Sequence, residues 1–174
     1  MLYIYSFLVG ILFTLFVKII FRKLCYIDKS DTIDSPISIE PVKVSKSNSI
    51  YRVNIDYMVD EDTIIPAGFE FNGASIPNLF WDLIDHPYHS SYITAACIHD
   101  YRYYLLEKEI KEVYNDIDDS ITKVAMKKVI KSKYKEANKE FRDNIRKYNR
   151  KIVSILMYIA VNIYSNILCY FRLK

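Results

Sequence analysis

The sequence predicts an α+β fold: a small antiparallel β-hairpin or sheet followed by a mostly helical bundle, preceded by one transmembrane helix. Three observations predict it. Tyr51 to Met58 alternates apolar and polar side chains, the period of a half-buried strand. Met126, Ile130, Tyr134, Ala137, Phe141, Ile145 and Tyr148 recur every three or four residues, the stripe of an amphipathic helix. Leu2 to Phe21 is a run of about 20 residues with Lys18 as its one charge, long enough to cross the bilayer core.

The chain has 174 residues, 51% hydrophobic and 26% charged, which excludes a disordered polar chain and fits a single domain. Its net charge of +3 does not mark a dedicated nucleic-acid binder. The layout is an anchor at 1–23, a linker at 24–49 and one α+β domain at 50–174. In the anchor, Tyr3 and Tyr5 lie at one interface, and Lys18, Arg22 and Lys23 follow the apolar run. A signal peptide carries its charge before the run and small residues after it, so an uncleaved anchor is favoured. The positive-inside rule then puts the domain on the cytoplasmic side. Cys25, Cys97 and Cys169 are odd in number and far apart, which indicates neither a disulfide framework nor a zinc knuckle.

Asp28 to Ser49 holds Pro36, Pro41 and scattered charges without a period, hence the linker. After the strand at Tyr51–Met58, Asp60-Glu61-Asp62 is a turn and Thr63–Ile65 a second strand. Phe69–Phe71 is extended again, and Asn72-Gly73 is a turn. Ser75 caps a short helix with Pro77 in its first turn. A further helix runs from Ser90 or Ser91 to about Leu106. Six acids then lie between Leu105 and Ser120, before the periodic helix that starts at Asp119 or Ser120. From Lys123 to Lys151 there are twelve basic residues against three acids. This basic helix, 123–151, is read first as a solvated face and second as a contact with anionic lipid; nucleic acid is disfavoured. Ile152 to Phe171 is a second charge-free run of about 20 residues. Ser154, Tyr158, Asn162 and Asn166 form a polar stripe along it, which favours a core helix touching a polar site over a second membrane span.

The most informative residues are Pro66, Gly68, Phe69, Ala74, Ser75, Pro77 and Trp81, followed by Ala95, Ala96, His99, Asp100 and Tyr103. Together they resemble the domain-of-unknown-function 1353 family, found in phages, prophages and bacteria. Ala137–Phe141 is similar to a later motif of that family, and Met157–Val161 to its closing helix. The resemblance covers about Tyr51 to Ser165, with an insertion of roughly twenty residues near Leu105 to Ile130. It implies an α+β fold and a phage-like origin, and no known reaction. Where that family's pattern has Asp, this chain has Asn72 and Asn138, and an amide cannot take a proton near pH 7.

His99 and Asp100 are the candidate catalytic or metal-ligating pair, because neutral imidazole beside carboxylate suits a divalent ion. The doublet is similar to the centre of metal-dependent phosphohydrolases, with His86 or His89 upstream and Asp116, Asp118 or Asp119 downstream as further ligands. The competing reading is structural: His99 and Asp100 pin the Asn72–Ser75 loop, including Gly73, to the helix. Ser75 lacks a nucleophile elbow and suits an N-cap. Tyr101, Tyr103 and Tyr104 suit packing better than stacking on a base. Two function classes follow. The first is a membrane-anchored, phage-type accessory or interaction protein without turnover. The second is a metal-dependent hydrolase using the His-Asp doublet. A divalent metal is the cofactor these residues admit; no protein partner is legible.

Overall fold

Strand structure begins before the sequence places it. Ile39–Lys43 (β1) pairs antiparallel with Ile50–Val53 (β2), in register Ile39↔Val53, Glu40↔Arg52 and Pro41↔Tyr51. β1 lies inside the stretch read as a linker, 24–49. Its Pro41 is tolerated because β1 is an edge strand. A computed structural model describes residues 37–44, 49–73, 90–114, 116–148 and 151–173. The run 1–23, linker residues 24–36 and 45–48, and the motif residues Ala74, Ser75, Pro77, Trp81, His86 and His89 lie outside the described residues.

The strand read at Tyr51–Met58 is two strands. β2 ends at Val53, and Tyr57–Asp60 (β3) starts a hairpin with Thr63–Ile65 (β4). Backbone bonds explain the break. Val53 donates to Phe69 O at 3.0 Å and accepts from Gly68 N at 2.7 Å, while Asn54 N donates to Ser38 O at 2.9 Å. Asp56 Oδ1 accepts the Ala67 N–H at 2.8 Å. Gly68 carries the positive φ of 89° that this return needs. Glu70–Phe71 (β5) closes a three-stranded sheet of order β1-β2-β5. A cross-strand row of Glu40, Arg52 and Glu70 runs over its exposed face.

Three helices follow among the described residues: Ser90–Glu109 (α1), Ser120–Tyr148 (α2) and Lys151–Arg172 (α3). α1 outlasts its expected end at Leu106 and continues as a π-helical turn, Ile110–Tyr114, because Leu106, Ile110 and Tyr114 all have core to bury. α2 is capped by Asp119, whose Oδ2 accepts the Thr122 N–H at 2.6 Å. The α2 stripe packs inward as its spacing predicts: Ile130, Tyr134, Ala137, Phe141 and Ile145 are buried.

α1 is the central element. Ile93, Cys97 and Ile98 pack on Val53, Ile65 and Phe71 of the strands. Tyr92, Ala95 and Ala96 pack on Phe141 and Ile145 of α2 and on Val153 and Met157 of α3. A third cluster joins Leu106, Ile110 and Tyr114 to Ile130, Tyr134, Cys169 and Leu173. The carbonyl just past the end of α3 is held as well. Leu173 O accepts from Tyr114 Oη at 3.3 Å and from Lys127 Nζ at 2.5 Å.

Ile145→Ala is expected to cost about 2–4 kcal/mol in urea unfolding, since it opens a cavity between three helices. Ile121→Ala, at a site 79% exposed, is expected to stay within about 0.5 kcal/mol of the parent. Equal effects at the two sites would contradict this core assignment.

Candidate functional site

The polar residues inside the helical layer meet at Asn138. It sits in the middle of the α2 stripe, with no exposed surface. Its Oδ1 accepts from His99 Nε2 at 2.9 Å and from Tyr103 Oη at 2.7 Å. Its Nδ2 donates to Asn162 Oδ1 at 3.1 Å and to Ser165 Oγ at 3.0 Å. Those are two acceptor and two donor contacts, the full capacity of an amide. His99 and Tyr103 lie four apart on α1, and Asn162 and Ser165 three apart on α3. Helical spacing therefore puts each pair on one face toward α2.

Asn138 also sets the His99 tautomer. Its nitrogen is committed to α3, so its oxygen faces the ring and Nε2 carries the proton. The ring is clamped between Tyr103 and Phe141, with centroids at 4.2 and 4.6 Å. The other ring nitrogen, Nδ1, lies 3.7 Å from Asp100 Oδ1, too long for a hydrogen bond. Asp100 accepts from the Asn72 backbone N–H. With its amide nitrogen turned inward, Asn72 also donates to Asp100 Oδ2 at 3.2 Å. Burial pushes the Asp100 carboxyl above the usual carboxylate range; the Asn72 N–H opposes that shift without cancelling it. The Tyr103 hydroxyl is raised by burial too. The Tyr134 hydroxyl is pushed up to about 12 by burial, and it has no hydrogen-bond partner among the described residues.

Arg102, between these residues in sequence, has a separate set of partners. It donates to Glu140 Oε2 at 3.0 Å, to Thr63 Oγ1 at 2.7 Å and to Asp60 Oδ2 at 2.6 Å. One guanidinium thus joins the β3–β4 hairpin, α1 and α2. It holds the Asp60 carboxyl below its ordinary range. An open groove of about 460 Å³ runs beside it between α1 and α2, lined by Leu105, Leu106, Glu109, Lys133, Glu136 and Glu140 among others. Neither His99 nor Asp100 lines that groove.

The structure therefore brings together His99, Asp100, Tyr103, Asn138, Asn72 and the buried Gly73. His99 turns to Asn138, while Asp100 alone reaches the Asn72 turn. His86 and His89, named as metal ligands, lie outside the described residues, as do Ser75 and Pro77. Asp116 and Asp118 are exposed, and Asp119 is spent on the α2 cap. No three His, Cys, Asp or Glu side chains converge on a metal position among the described residues. Tyr101 and Tyr104 pack on Phe69, at 5.0 and 5.8 Å.

The sequence reading did not single out Arg102 or Ser165. A cation on a helix whose neighbouring turns are buried was the available signal for Arg102. Ser165 is displaced from the expected stripe because a strict four-residue period drifts against 3.6 residues per turn. Asn166, the stripe's last member, is exposed and Ser165 takes the inner place.

Residues 50–161, well over half of the chain, match the family described as Protein of unknown function (DUF1353). The chain belongs to that family. The DUF1353 match spans the strands β2–β5, α1, α2 and half of α3, and so contains His99, Asp100, Tyr103 and Asn138. A similar curated protein is the uncharacterised y4jT of Sinorhizobium fredii (strain NBRC 101917 / NGR234), 34% identical over 56 residues. That stretch is 30% of this chain, which covers only 17% of the relative's length. No solved structure matches the chain.

The raised Asp100 carboxyl gives a pH prediction. A folded-state pKa above the unfolded value means the carboxylate costs stability as pH rises through that raised value. Asp100→Asn should then raise Tm at pH 7, and the gain should vanish near pH 3, below the ordinary Asp range of about 3.9. A lower Tm at pH 7 in thermal melts would show instead that the contacts with Asn72 outweigh burial.

Proposed function

We propose that this DUF1353 protein is a membrane-anchored accessory or interaction protein of phage type that turns over no substrate. Residues 1–23 would hold it in the membrane, with the domain on the cytoplasmic side and the basic helix 123–151 beside anionic lipid. The phage role rests on the family resemblance, and the anchor on the charge-free run and the basic residues that follow it.

One observation carries the non-catalytic reading: His99 and Asn138 are buried, His99 Nε2 is spent on Asn138, and Asn138 spends all four of its contacts on His99, Tyr103, Asn162 and Ser165. A general base needs a nitrogen within reach of a substrate proton. Here Nε2 is committed to Asn138, and Nδ1 faces Asp100 beneath the Asn72 turn. The same groups serve well as a rigid support that presents the hairpin and the Asn72–Gly73 turn as a fixed surface.

The test has two readouts on purified full-length protein. Titration with Mn²⁺ and Zn²⁺ should show no saturable site that His99→Gln abolishes. Membranes carrying the protein should keep it through alkaline carbonate and release it to detergent. A stoichiometric metal lost in His99→Gln would establish the metal-dependent hydrolase reading instead. Release by carbonate alone would remove the anchor.

A further inference from the structure

α3 has apolar side chains on its exposed face as well as in the core. Ser154 and Ser165 are buried and Asn162 bonds Asn138, while Asn166 is exposed. A row of apolar side chains faces outward. Ile155, Ile159, Ile163 and Ile167 recur every four residues, and Tyr170 and Phe171 end the row, all between 42% and 65% exposed. The row is about 24 Å long at 1.5 Å per residue. No charge interrupts it, since Lys151 and Arg172 stand at the two ends of the helix. A solvated helix face carries charge; a contiguous apolar row of this length marks a contact surface.

The border of the row says what it meets. Arg142 of α2 lies over the Tyr158 ring at 5.0 Å. Lys127 reaches the Leu173 carbonyl, and Lys127 with Lys131 lies within electrostatic range of Cys169. Cations of α2 thus line the seam beside the apolar row along the length of α3. An apolar face bordered by Lys and Arg, with tyrosines at its margin, is the chemistry of a helix lying in the headgroup region of an anionic bilayer.

We propose that the outer face of α3 docks flat into the headgroup–acyl boundary of an anionic membrane, as a contact additional to the N-terminal anchor. This rests on the membrane reading above. A second copy is a poorer occupant, because a two-fold contact on this face brings the same cations together. The chain's own apolar segment Leu2–Phe21 is poorer too, because no acid occurs before Asp28 to meet those cations. Arg142 is paired with Asp143 at 2.7 Å, and lipid phosphate supplies the anion for Lys127 and Lys131. The packing of α3 on α2 and the Asn138 bonds then explain why it lies on the membrane rather than across it: spanning would strip Asn162 and Ser165 of their partners.

The test places a nitroxide at Ile163→Cys, and separately at Ile159→Cys, in full-length protein carrying Cys25→Ser. Cys97 and Cys169 are buried, and the protein without the added cysteine sets the background. Labelled protein is bound to phosphatidylcholine–phosphatidylglycerol vesicles and probed with oxygen, which concentrates in lipid, and with a nickel chelate, which stays in water. Met58→Cys on the 70%-exposed edge of β3 is the water-facing control. The oxygen-to-nickel ratio at 163 and 159 is expected to be several-fold above that at 58, and to fall in pure phosphatidylcholine. Free access of nickel at both positions overturns the proposal. Low access of both reagents also overturns it and means a protein surface, either Leu2–Phe21 or a second copy, covers the row. If the protein floats with vesicles but 163 faces water, only this inference falls. If it does not float at all, the membrane reading falls with it.

Discussion

The arrangement of the helices depends on one buried amide. Asn138 bonds two residues of α1 and two of α3 from the centre of α2, with none of its four contacts shared with water. A hydrogen bond of this kind adds only about 0.5–1.5 kcal/mol net, but each buried partner left unpaired costs about 1–3 kcal/mol. The network therefore acts more on specificity than on total stability. Any rotation or slip of one helix against the other two strands several polar groups at once. Apolar packing in the three core clusters supplies the stability; Asn138 selects the register.

That selection has a consequence on the outside. α3 carries no charge between Lys151 and Arg172, and with Ser154, Asn162 and Ser165 turned inward the side chains it turns outward are mostly apolar. The exposed row of isoleucines on α3 and the buried polar network are thus two faces of one sequence choice. Arg102 does for the strands what Asn138 does for the helices. It lies beside the network and binds Asp60 and Thr63 of the hairpin together with Glu140 of α2. Between them, a neutral amide inside and a guanidinium at the edge fix α1 to every layer it touches.

The parts legible in the sequence are those where a single period or a local cap dominates. The α2 stripe, the Asp119 cap and the turn at Asp60–Asp62 depend on residues close in the chain. The break between β2 and β3 was not legible, because apolar alternation continues through Asn54–Asp56 while the backbone leaves the sheet to bond Ser38, Ala67 and Gly68. β1 was hidden by Pro41 and Lys43, residues an edge strand tolerates and a pattern search discards. In the site, His99, Asp100, Tyr103 and Asn138 stood out as residue types. Their grouping across three helices did not, since it depends on how those helices pack. The partners of Arg102 were not legible either, because they lie about forty residues away on either side.

A double-mutant cycle between His99 and Asn138 tests the account most directly. Unfolding free energies of full-length protein, His99→Ala, Asn138→Ala and the pair would give the coupling between α1 and α2. If Asn138 organises the helices, each single change leaves partners unpaired, the two are strongly non-additive, and the coupling is about 1–3 kcal/mol. If the losses simply add to within about 0.5 kcal/mol, the two residues act independently. Helix register would then be set by apolar packing alone, contrary to the account.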